Sequence, residues 1–248
     1  MYNPFSLENK IILVTGASSG IGRATAIECS KMGAKIIITA RNEERLKETL
    51  SLLEGEENQY IVADLSNEDD IDKLVSQLPK VNGVVNNAGF NIMRLIPFIK
   101  TNDLEQIVKV NLEAPILLTH KLVKGRKVEK NSSIVFVSSI GKSIVAPGNS
   151  MYSATKGGIS AFMKNAAFDL SGKRIRCNAV LPGMVETPLK EGKQTISEEQ
   201  WEINRKLYPL KRFGTPEDVA HTIVFLLSDA SSWMTGTEIV LDGGRSLN

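Results

Sequence analysis

The sequence of 248 residues predicts a single α/β domain in which helices cover both faces of a mostly parallel sheet. Two observations carry this prediction. Short apolar runs alternate with longer helical stretches along the whole chain. Most of these runs are apolar at consecutive positions, which is typical of parallel strands buried on both faces. Connections through helices then give a doubly wound sheet.

Seven strands and six helices are expected. The strands are predicted at 11–14, 35–39, 59–63, 83–87, 133–138, 176–181 and 238–242, and the helices at 20–32, 43–54, 67–78, 101–123, 152–170 and 216–228. Thr215 is the candidate N-cap of the last helix, and Pro216 suits its first turn. The charged stretch 125–130 predicts an exposed turn. The polar stretch 184–214 predicts a helical flap that is mobile until cofactor binds, within one domain spanning 1–248.

The composition favours a globular protein without nucleic-acid or membrane partners. Hydrophobic residues make up 42% and charged residues 23% of the chain. The formal net charge of +2 gives no general attraction to polyanions. No apolar run is long enough to span a bilayer and the first residues lack a signal-peptide pattern, so we expect a cytoplasmic protein. The two cysteines and two histidines show no metal-binding spacing, so we expect no metal.

A glycine-rich segment follows the first predicted strand directly. Its glycines are spaced G-x-x-x-G-x-G, and a predicted helix begins within it. Glycine allows a tight turn and close approach of backbone N–H groups to a pyrophosphate, and the helix presents its positive end to the anion. The segment lacks the lysine of an ATP-binding loop. The candidate phosphate contacts are Gly16, Ser18, Ser19, Gly20, Ile21 and Gly22.

Tyr152 and Lys156 form the candidate catalytic pair. They are four residues apart on a predicted helix and therefore share a face. Ser139 lies at the carboxyl end of a predicted strand, where open α/β sheets build their ligand crevice. A tyrosine has an ordinary pKa of about 10, which a nearby ammonium group would lower, so that Tyr152 could exchange protons. The same pair also fits a core tyrosine beside a solvated lysine.

The glycine loop, the Asn86–Gly89 motif and the spacing of Tyr152 and Lys156 together resemble the short-chain dehydrogenase/reductase family. The resemblance continues through Pro182–Thr187 and the Thr235–Gly244 segment, and so covers nearly the whole chain. The closest style is the branch that contains 3-oxoacyl-carrier-protein reductases. The resemblance implies a Rossmann-type fold and an oxidoreductase that interconverts a carbonyl and a secondary alcohol by hydride transfer.

The resemblance also implies a role for each candidate residue. Tyr152 would be the general acid/base, Ser139 would hold the substrate oxygen, and Lys156 would also bind the nicotinamide ribose. Asn111, which reads as an ordinary helix residue, would position a water on the proton path. Ser138 competes for the serine role, but spacing from the tyrosine favours Ser139. The further implied cofactor contacts are Arg41, Asp64, Leu65, Asn87, Ala88, Gly89, Pro182, Gly183, Val185 and Thr187. Asp64 would bind the adenine, although a loop or capping role fits it equally.

The end of the second strand predicts NADP(H) rather than NAD(H). Ala40 stands where NAD-preferring members of the family usually carry an acidic residue, so nothing there repels a 2′-phosphate. Arg41 follows and can make charge-assisted, bidentate bonds to a phosphate. Ser19 stands where many NADP users have a basic residue. The alternative for Arg41 is an exposed helix-start residue paired with an acidic neighbour such as Glu44.

Two other functions remain open: a nucleotide-sugar epimerase or dehydratase, and a non-catalytic binding or regulatory protein on the same fold. We expect a homotetramer, or at least a dimer. Docking of an acyl carrier is a weaker expectation resting on Lys130 and Lys173, which fit a solvated face equally well. The residues expected to line the substrate pocket are Phe90, Met93, Ile140, Ile144, Met151, Met184, Leu189, Trp201 and Tyr208.

Overall fold

The computed structural model of the chain describes residues 2–186 and 198–247. The strands are β1 Ile11–Thr15, β2 Lys35–Ala40, β3 Gln59–Val62, β4 Val81–Asn86, β5 Val128–Val137, β6 Arg176–Pro182 and β7 Glu238–Leu241. The helices are α1 Gly20–Lys31, α2 Glu43–Leu50, α3 Glu68–Gln77, α4 Thr101–Val108, α5 Ala114–Lys124, α6 Ser150–Asp169, α7 Glu198–Lys206 and α8 Pro216–Leu227. In the described ranges the strands form one parallel sheet in the order β3-β2-β1-β4-β5-β6-β7.

Both faces of the sheet are covered, which explains the apolar runs in the sequence. Leu13 and Ile37 point to the face that packs under α3, α5 and α6. Their neighbours Ile12 and Ile36 point to the opposite face, under α1, α2 and α8. Because successive strand residues face opposite sides and both layers bury apolar side chains, consecutive strand positions are mostly apolar. The predicted doubly wound architecture is confirmed.

The order of the strands places a crevice at the carboxyl ends of the strands. From β1 the chain moves outward to β2 and β3, and then returns to add β4 on the other side of β1. The loops after β1 and β4 therefore leave in opposite directions at the carboxyl ends of the strands. Ligands of open α/β sheets bind at such a switch point.

Two predicted elements differ in the structure. The expected helix 101–123 consists of α4 and α5 joined by a π-helical turn at Lys109–Glu113. The stretch 125–130 is a turn only at its beginning, because β5 starts at Val128, which pairs with Val81. The charged residues at the end of this stretch lie at the start of a strand rather than in a loop. The hydrophobic periodicity of the sequence does not indicate that a strand begins there.

The predicted cap of α8 is confirmed. The Thr215 hydroxyl accepts a hydrogen bond from the Asp218 backbone N–H at 3.3 Å, and the Asp218 carboxylate accepts one from the Thr215 N–H at 2.7 Å. This reciprocal capping box satisfies two N–H groups that the helix cannot pair internally. The cap fixes the direction in which the chain leaves the predicted flap.

The predicted flap lies partly outside the described residues, because 187–197 are not among them. The rest contains α7 and a bridge between Val185 and Gly214, which closes the two ends of the stretch on each other. No helix in the described ranges is both long and apolar enough to cross a membrane. Nor do three histidine, cysteine, aspartate or glutamate side chains come together there as a metal site would require.

Candidate active site

A cavity of about 580 Å³ opens at the carboxyl ends of the strands, and the loops after β1 to β6 line it. It brings together most of the residues that the sequence singled out. The predicted residues that line it are Gly16, Ser18, Ser19, Gly20, Ile21, Arg41, Asp64, Leu65, Asn87, Ala88, Gly89, Ser139, Tyr152, Lys156, Pro182, Gly183 and Val185. Gly22 and Asn111 lie behind its wall, and Thr187 lies outside the described residues.

The glycine loop is built for close approach of backbone to backbone. Gly16 has a φ of +65°, and a Cβ at this position would lie 2.8 Å from the Cα of Ala88. A Cβ on Gly22 would collide with the Gly16 carbonyl, so Gly22 allows the first turn of α1 to pack under the loop. Gly22 thus has a packing role in the loop, and its phosphate contact stays a prediction. The loop therefore follows the wall of the cavity closely, because its glycines place no side chain between the packed segments.

Thr15 holds the glycine loop against the loop after β4, and no sequence pattern marks it for this role. Its hydroxyl donates to the Val85 carbonyl at 3.2 Å and accepts from the N–H groups of Asn87 and Ala88 at 3.0 and 3.1 Å. The Asn87 amide donates to the carbonyls of Thr15 and Gly16 at 2.9 and 3.2 Å. These bonds fix the spacing between the two loops at the switch point. Asn87 thus has a structural task besides lining the cavity.

The start of α1 points at the cavity with free donors. Ser19 occupies the N-cap position, but its side chain makes no capping hydrogen bond. The first N–H groups of a helix have no partner within the helix, and together with the dipole they form an anion site. Arg23 supports the loop from behind, because its guanidinium donates to the Ser18 carbonyl at 2.7 Å and pairs with Glu48 at 3.0 Å. The geometry therefore fits a pyrophosphate.

Two arginines stand at the end of the cavity beyond β2. Arg41 and Arg45 both line it, and Arg45 had not been predicted. Among the described residues neither guanidinium forms an ion pair, so the alternative pairing of Arg41 with Glu44 does not occur. Glu43 is instead held by Lys47 at 2.9 Å and by the Tyr60 hydroxyl at 3.0 Å. The end of the cavity is consequently cationic.

Asp64 has the loop role that the sequence left open, and its position leaves adenine binding as a prediction. It lines the cavity, and its Oδ1 accepts hydrogen bonds from the backbone N–H and the hydroxyl of Ser66 at 2.9 and 2.8 Å. Its own N–H donates to Asp70 at 3.1 Å. One carboxylate oxygen is thus committed to the turn after β3. The second oxygen has no hydrogen bond among the described residues.

Ser139, Tyr152 and Lys156 meet at the other end of the cavity. The Ser139 hydroxyl lies beside the Tyr152 ring, since a Cβ on Gly141 would lie 3.2 Å from the hydroxyl and 3.5 Å from the ring, and the Lys156 ammonium lies 5.6 Å from the ring centre. Lys156 is only 5% exposed and donates to the Val137 carbonyl at 2.7 Å. Ser138 is buried and its hydroxyl donates to the Lys156 carbonyl at 3.0 Å, in keeping with a structural role.

Burial dominates the electrostatics of this group. It raises the pKa of Tyr152, an effect that the neighbouring Ser139 hydroxyl only partly opposes. It also lowers the pKa of Lys156 to about 8. The expected lowering of the tyrosine pKa by the lysine is therefore wrong for the protein without ligand. The reason is that desolvation penalises the phenolate and the ammonium alike.

Asn111 lies in the π-helical turn and is not an ordinary helix residue. Its side chain is 2% exposed, accepts from the Phe90 N–H at 3.0 Å and donates to the Phe90 carbonyl at 2.8 Å. It faces Gly89, where a Cβ would lie 3.0 Å from its oxygen and 3.6 Å from the Lys156 ammonium. A π turn widens a helix and often marks a functional position. Here the π turn places the side-chain amide of Asn111 behind Lys156.

The substrate end of the cavity differs from the expected lining. Of the predicted wall residues Phe90 lines the cavity, whereas Ile140, Met151 and Tyr208 are buried in the protein. The Tyr208 hydroxyl accepts a hydrogen bond from the Met184 N–H at 3.0 Å. Tyr208 therefore anchors the chain as it leaves β6. Leu189 lies outside the described residues.

Comparison with known proteins places this site in a family. The family model described as enoyl-(acyl carrier protein) reductase matches residues 16–246. The 3-oxoacyl-(acyl-carrier-protein) reductase FabG of Thermotoga maritima is 37% identical over 245 residues, with 96% of this chain and 98% of the relative covered. The chain belongs to the short-chain dehydrogenase/reductase family.

Two further members show the breadth of the family. Dehydrogenase/reductase SDR family member 6 of Rattus norvegicus is 35% identical over 245 residues and covers 97% of this chain and 99% of the relative. A structure from Agrobacterium tumefaciens, a candidate 2-deoxy-D-gluconate 3-dehydrogenase with bound NADP, superposes with a TM-score of 0.89 at 26% identity and full coverage of both chains. As a short-chain dehydrogenase/reductase, the protein is an oxidoreductase.

Proposed function

We propose that the protein interconverts a ketone and a secondary alcohol with NADP(H), using Tyr152 as the general acid/base. The observation that carries this proposal is a single cavity with a phosphate-type glycine loop at one end and Ser139, Tyr152 and Lys156 at the other. The non-catalytic alternative and the epimerase alternative have no comparable support. The relatives named above carry reductase or dehydrogenase names.

The residues present fit a bound dinucleotide along this cavity. The first N–H groups of α1 and the backbone of Ser18, Ser19 and Gly20 would hold the pyrophosphate. Asp64 and Leu65 would border the adenine, because they line the cavity beyond β3. Asn87, Ala88 and Gly89 would border the riboses. Pro182, Gly183, Val185 and Thr187 would hold the nicotinamide end.

Charge at the end of β2 favours the phosphorylated cofactor. Ala40 offers no carboxylate, and Arg41 and Arg45 line the cavity without an ion pair among the described residues. A 2′-phosphate would give these guanidinium groups the charge-assisted bonds that they lack. The NADP bound in the Agrobacterium structure agrees with this choice.

The chain's own residues supply the proton and its orientation. When bound, NADPH supplies the hydride that reduces the carbonyl carbon. Tyr152 would donate its hydroxyl proton to the carbonyl oxygen, and Ser139 would hydrogen-bond the same oxygen as negative charge develops on it. Lys156 would bind the cofactor ribose and place a positive charge near the tyrosine. Asn111 would order the proton path behind the lysine.

An activity screen with the purified protein tests this proposal. NADPH and a panel of ketones, including a 3-oxoacyl thioester, are followed at the nicotinamide absorbance, with NADH in parallel. We expect substrate-dependent oxidation of NADPH and weaker binding of NADH. Tight NADPH binding without turnover on any carbonyl would support a non-catalytic protein instead. Equal affinity for NADH and NADPH would overturn the cofactor assignment.

A carrier-bound acyl group is a second candidate substrate, because the reductase relatives are named for it. Lys130 and Lys173, the expected docking residues, are exposed near the amino ends of β5 and β6. Ser139 follows the carboxyl end of β5, so the lysines lie at the opposite ends of the strands from Ser139. A Lys130→Glu, Lys173→Glu double variant tests the idea: an unchanged rate on carrier-bound substrate would remove it.

We also propose that the protein assembles as a homotetramer, or at least a dimer. Large apolar side chains stand exposed away from the cavity, among them Phe168 at 82% and Trp233 at 99%. Exposed aromatic side chains of this size are typical of surfaces that associate. Light scattering at micromolar concentration is expected to give a multiple of the chain mass. A clean monomer would contradict the proposal.

A further inference from the structure

The segment that carries Ser139 is short, and its internal backbone hydrogen bonds are all local: Lys142 donates to the Ser139 carbonyl at 3.3 Å, and Ser143 and Ile144 donate to the Ile140 carbonyl at 2.9 and 2.8 Å. After β5 the chain forms a single 3-10 turn at Ile140–Lys142, and Ser139 caps it by accepting from the Gly141 N–H at 3.0 Å. The Ser139 hydroxyl has only a long contact of 3.5 Å to the Pro182 carbonyl on its other side. A single 3-10 turn is weakly held by its own hydrogen bonds. The orientation of Ser139 therefore depends on contacts made by the rest of the segment.

Lys142, the last residue of that turn, is tied to the edge strand of the sheet. Its ammonium contacts both carboxylate oxygens of Glu238, the first residue of β7, at 2.7 and 2.9 Å. The two side chains are only 19% and 17% exposed. A charge pair screened from water in this way is worth more than an exposed one, and breaking it leaves a partly buried charge without a partner.

The carboxylate of Glu238 is the centre of a small charged cluster. Lys164 on α6 approaches its second oxygen at 3.4 Å. Burial raises the pKa of Glu238, but Lys142, Ser160 and Lys164 outweigh that effect and lower it. Ser160 in turn lies 3.0 Å from the Ser138 hydroxyl, next to Ser139 in the chain. Groups around Glu238 thus reach the segment on both sides of Ser139.

We propose that Glu238 is a positioning residue for the reaction: through its ion pair with Lys142 it holds the 3-10 turn that orients the Ser139 hydroxyl toward Tyr152. The inference rests on the proposed function, since it concerns the same serine and tyrosine. Neither Glu238 nor Lys142 lines the cavity. Their effect is therefore transmitted through Ser139 and not through contact with cofactor or substrate.

This role has a signature that loss of stability alone does not produce. Burial raises the pKa of Tyr152, and the Ser139 hydroxyl beside it opposes that rise. If Ser139 were no longer held next to Tyr152, this opposing effect would be lost and the pKa of Tyr152 would rise further. In alcohol oxidation Tyr152 accepts the proton, so the rising limb of the kcat against pH curve would move to higher pH. Lys156 is the charged group facing Tyr152 and is unchanged in the variants below.

The experiment compares Glu238→Gln and Lys142→Gln with the wild-type enzyme. For each we measure kcat and KM in both directions, NADPH affinity by fluorescence and the melting temperature. A misplaced catalytic group costs rate rather than cofactor affinity, so we expect kcat to fall about tenfold with NADPH affinity unchanged within about twofold. We also expect the oxidation limb to move to higher pH. Two single variants are used so that a folding defect in one does not prevent the test.

Two controls complete the design. Lys164→Gln removes a partner of Glu238 that does not touch the serine segment, and kcat should stay near the wild-type value. The charge-reversed double variant Lys142→Glu, Glu238→Lys should recover much of the lost kcat. The proposal is overturned if both single variants behave like Lys164→Gln, if NADPH affinity falls as much as kcat, or if charge reversal gives no recovery. A wild-type enzyme without carbonyl reduction would instead overturn the proposed function.

Discussion

The cavity has a proposed cofactor end at the glycine loop and a proposed catalytic end at Ser139, Tyr152 and Lys156. Backbone dominates the first end and polar side chains dominate the second. At the cofactor end, the loop after β1 presents backbone, and Gly16 and Gly22 leave room for main chain at van der Waals distance. At the catalytic end, buried polar side chains such as Asn111 and Lys156 form the wall and its support. The first end should be sensitive to added atoms, and the second to lost polar groups. Substitutions of the two kinds can test this contrast.

The largest effect is expected at the catalytic end. Tyr152→Phe keeps the ring but removes the proton that is transferred, so kcat should fall by about 10³-fold, within the range for general acid–base catalysis. NADPH affinity should change little. Steady-state kinetics and a fluorescence titration measure the two quantities. Tyr60→Phe, the same change at a tyrosine bonded to Glu43, is the control. A variant at position 152 that kept near-wild-type turnover would assign the proton to another group.

The next largest effect, on cofactor affinity, is expected at the arginines that line the end of the cavity beyond β2. Arg41→Ala removes a guanidinium proposed to bind the 2′-phosphate, and loss of such a bond costs about 1.5–3 kcal/mol, or roughly 10- to 100-fold in NADPH affinity. NADH affinity should be nearly unchanged. Lys47→Ala is the matched control, since Lys47 lies on α2 but does not line the cavity. Equal weakening of both cofactors by Arg41→Ala would exclude a specific phosphate contact.

A smaller effect is expected from an added methyl group in the glycine loop. Gly16→Ala forces a φ of +65° on a residue with a Cβ and pushes against the Cα of Ala88. The strain should cost about 1–3 kcal/mol of stability, and NADPH affinity should fall while kcat at saturating cofactor is largely kept. Gly172→Ala, where a Cβ meets nothing within 4 Å, is the control. Similar melting temperatures for both variants would show that the loop tolerates added atoms.

The smallest effect lies outside the cavity. Thr215→Ala removes the N-cap of α8 and should lower the free energy of unfolding by about 1 kcal/mol without changing kcat. Ser76→Ala on the surface of α3 should change stability far less. The hydrogen bond from Arg212 lowers the pKa of Asp218, the partner of Thr215, to about 2. A carboxyl group whose pKa is lower in the folded than in the unfolded protein stabilises the fold at pH values above its unfolded pKa. The stabilisation from the ionised Asp218 carboxylate should therefore be lost as the pH falls through about 2. A change in kcat would show that the cap also shapes the site.

Much of the site could be predicted because its residues lie where strands end. Ser139 was preferred to Ser138 on spacing, and Ser138 proves to be buried against the Lys156 backbone. Thr15 and Arg45 were missed. A threonine at a strand end carries no pattern of its own, and the partners of Thr15 lie 70 to 73 residues away. Arg45 is an ordinary helix residue until α2 is placed against the cavity.

The sequence by itself determined the alternation of strands and helices along the chain, the glycine loop and the tyrosine–lysine pair, because periodicity and spacing are local properties of the chain. Tertiary structure alone decided which groups share an environment. It set the direction of the pKa shift of Tyr152 through burial, and it tied Lys142 to Glu238 across 96 residues. It also placed the π turn that turns Asn111 toward Gly89. Desolvation and long-range contacts depend on which residues pack around a side chain in the folded protein. A local sequence pattern carries no information about that packing.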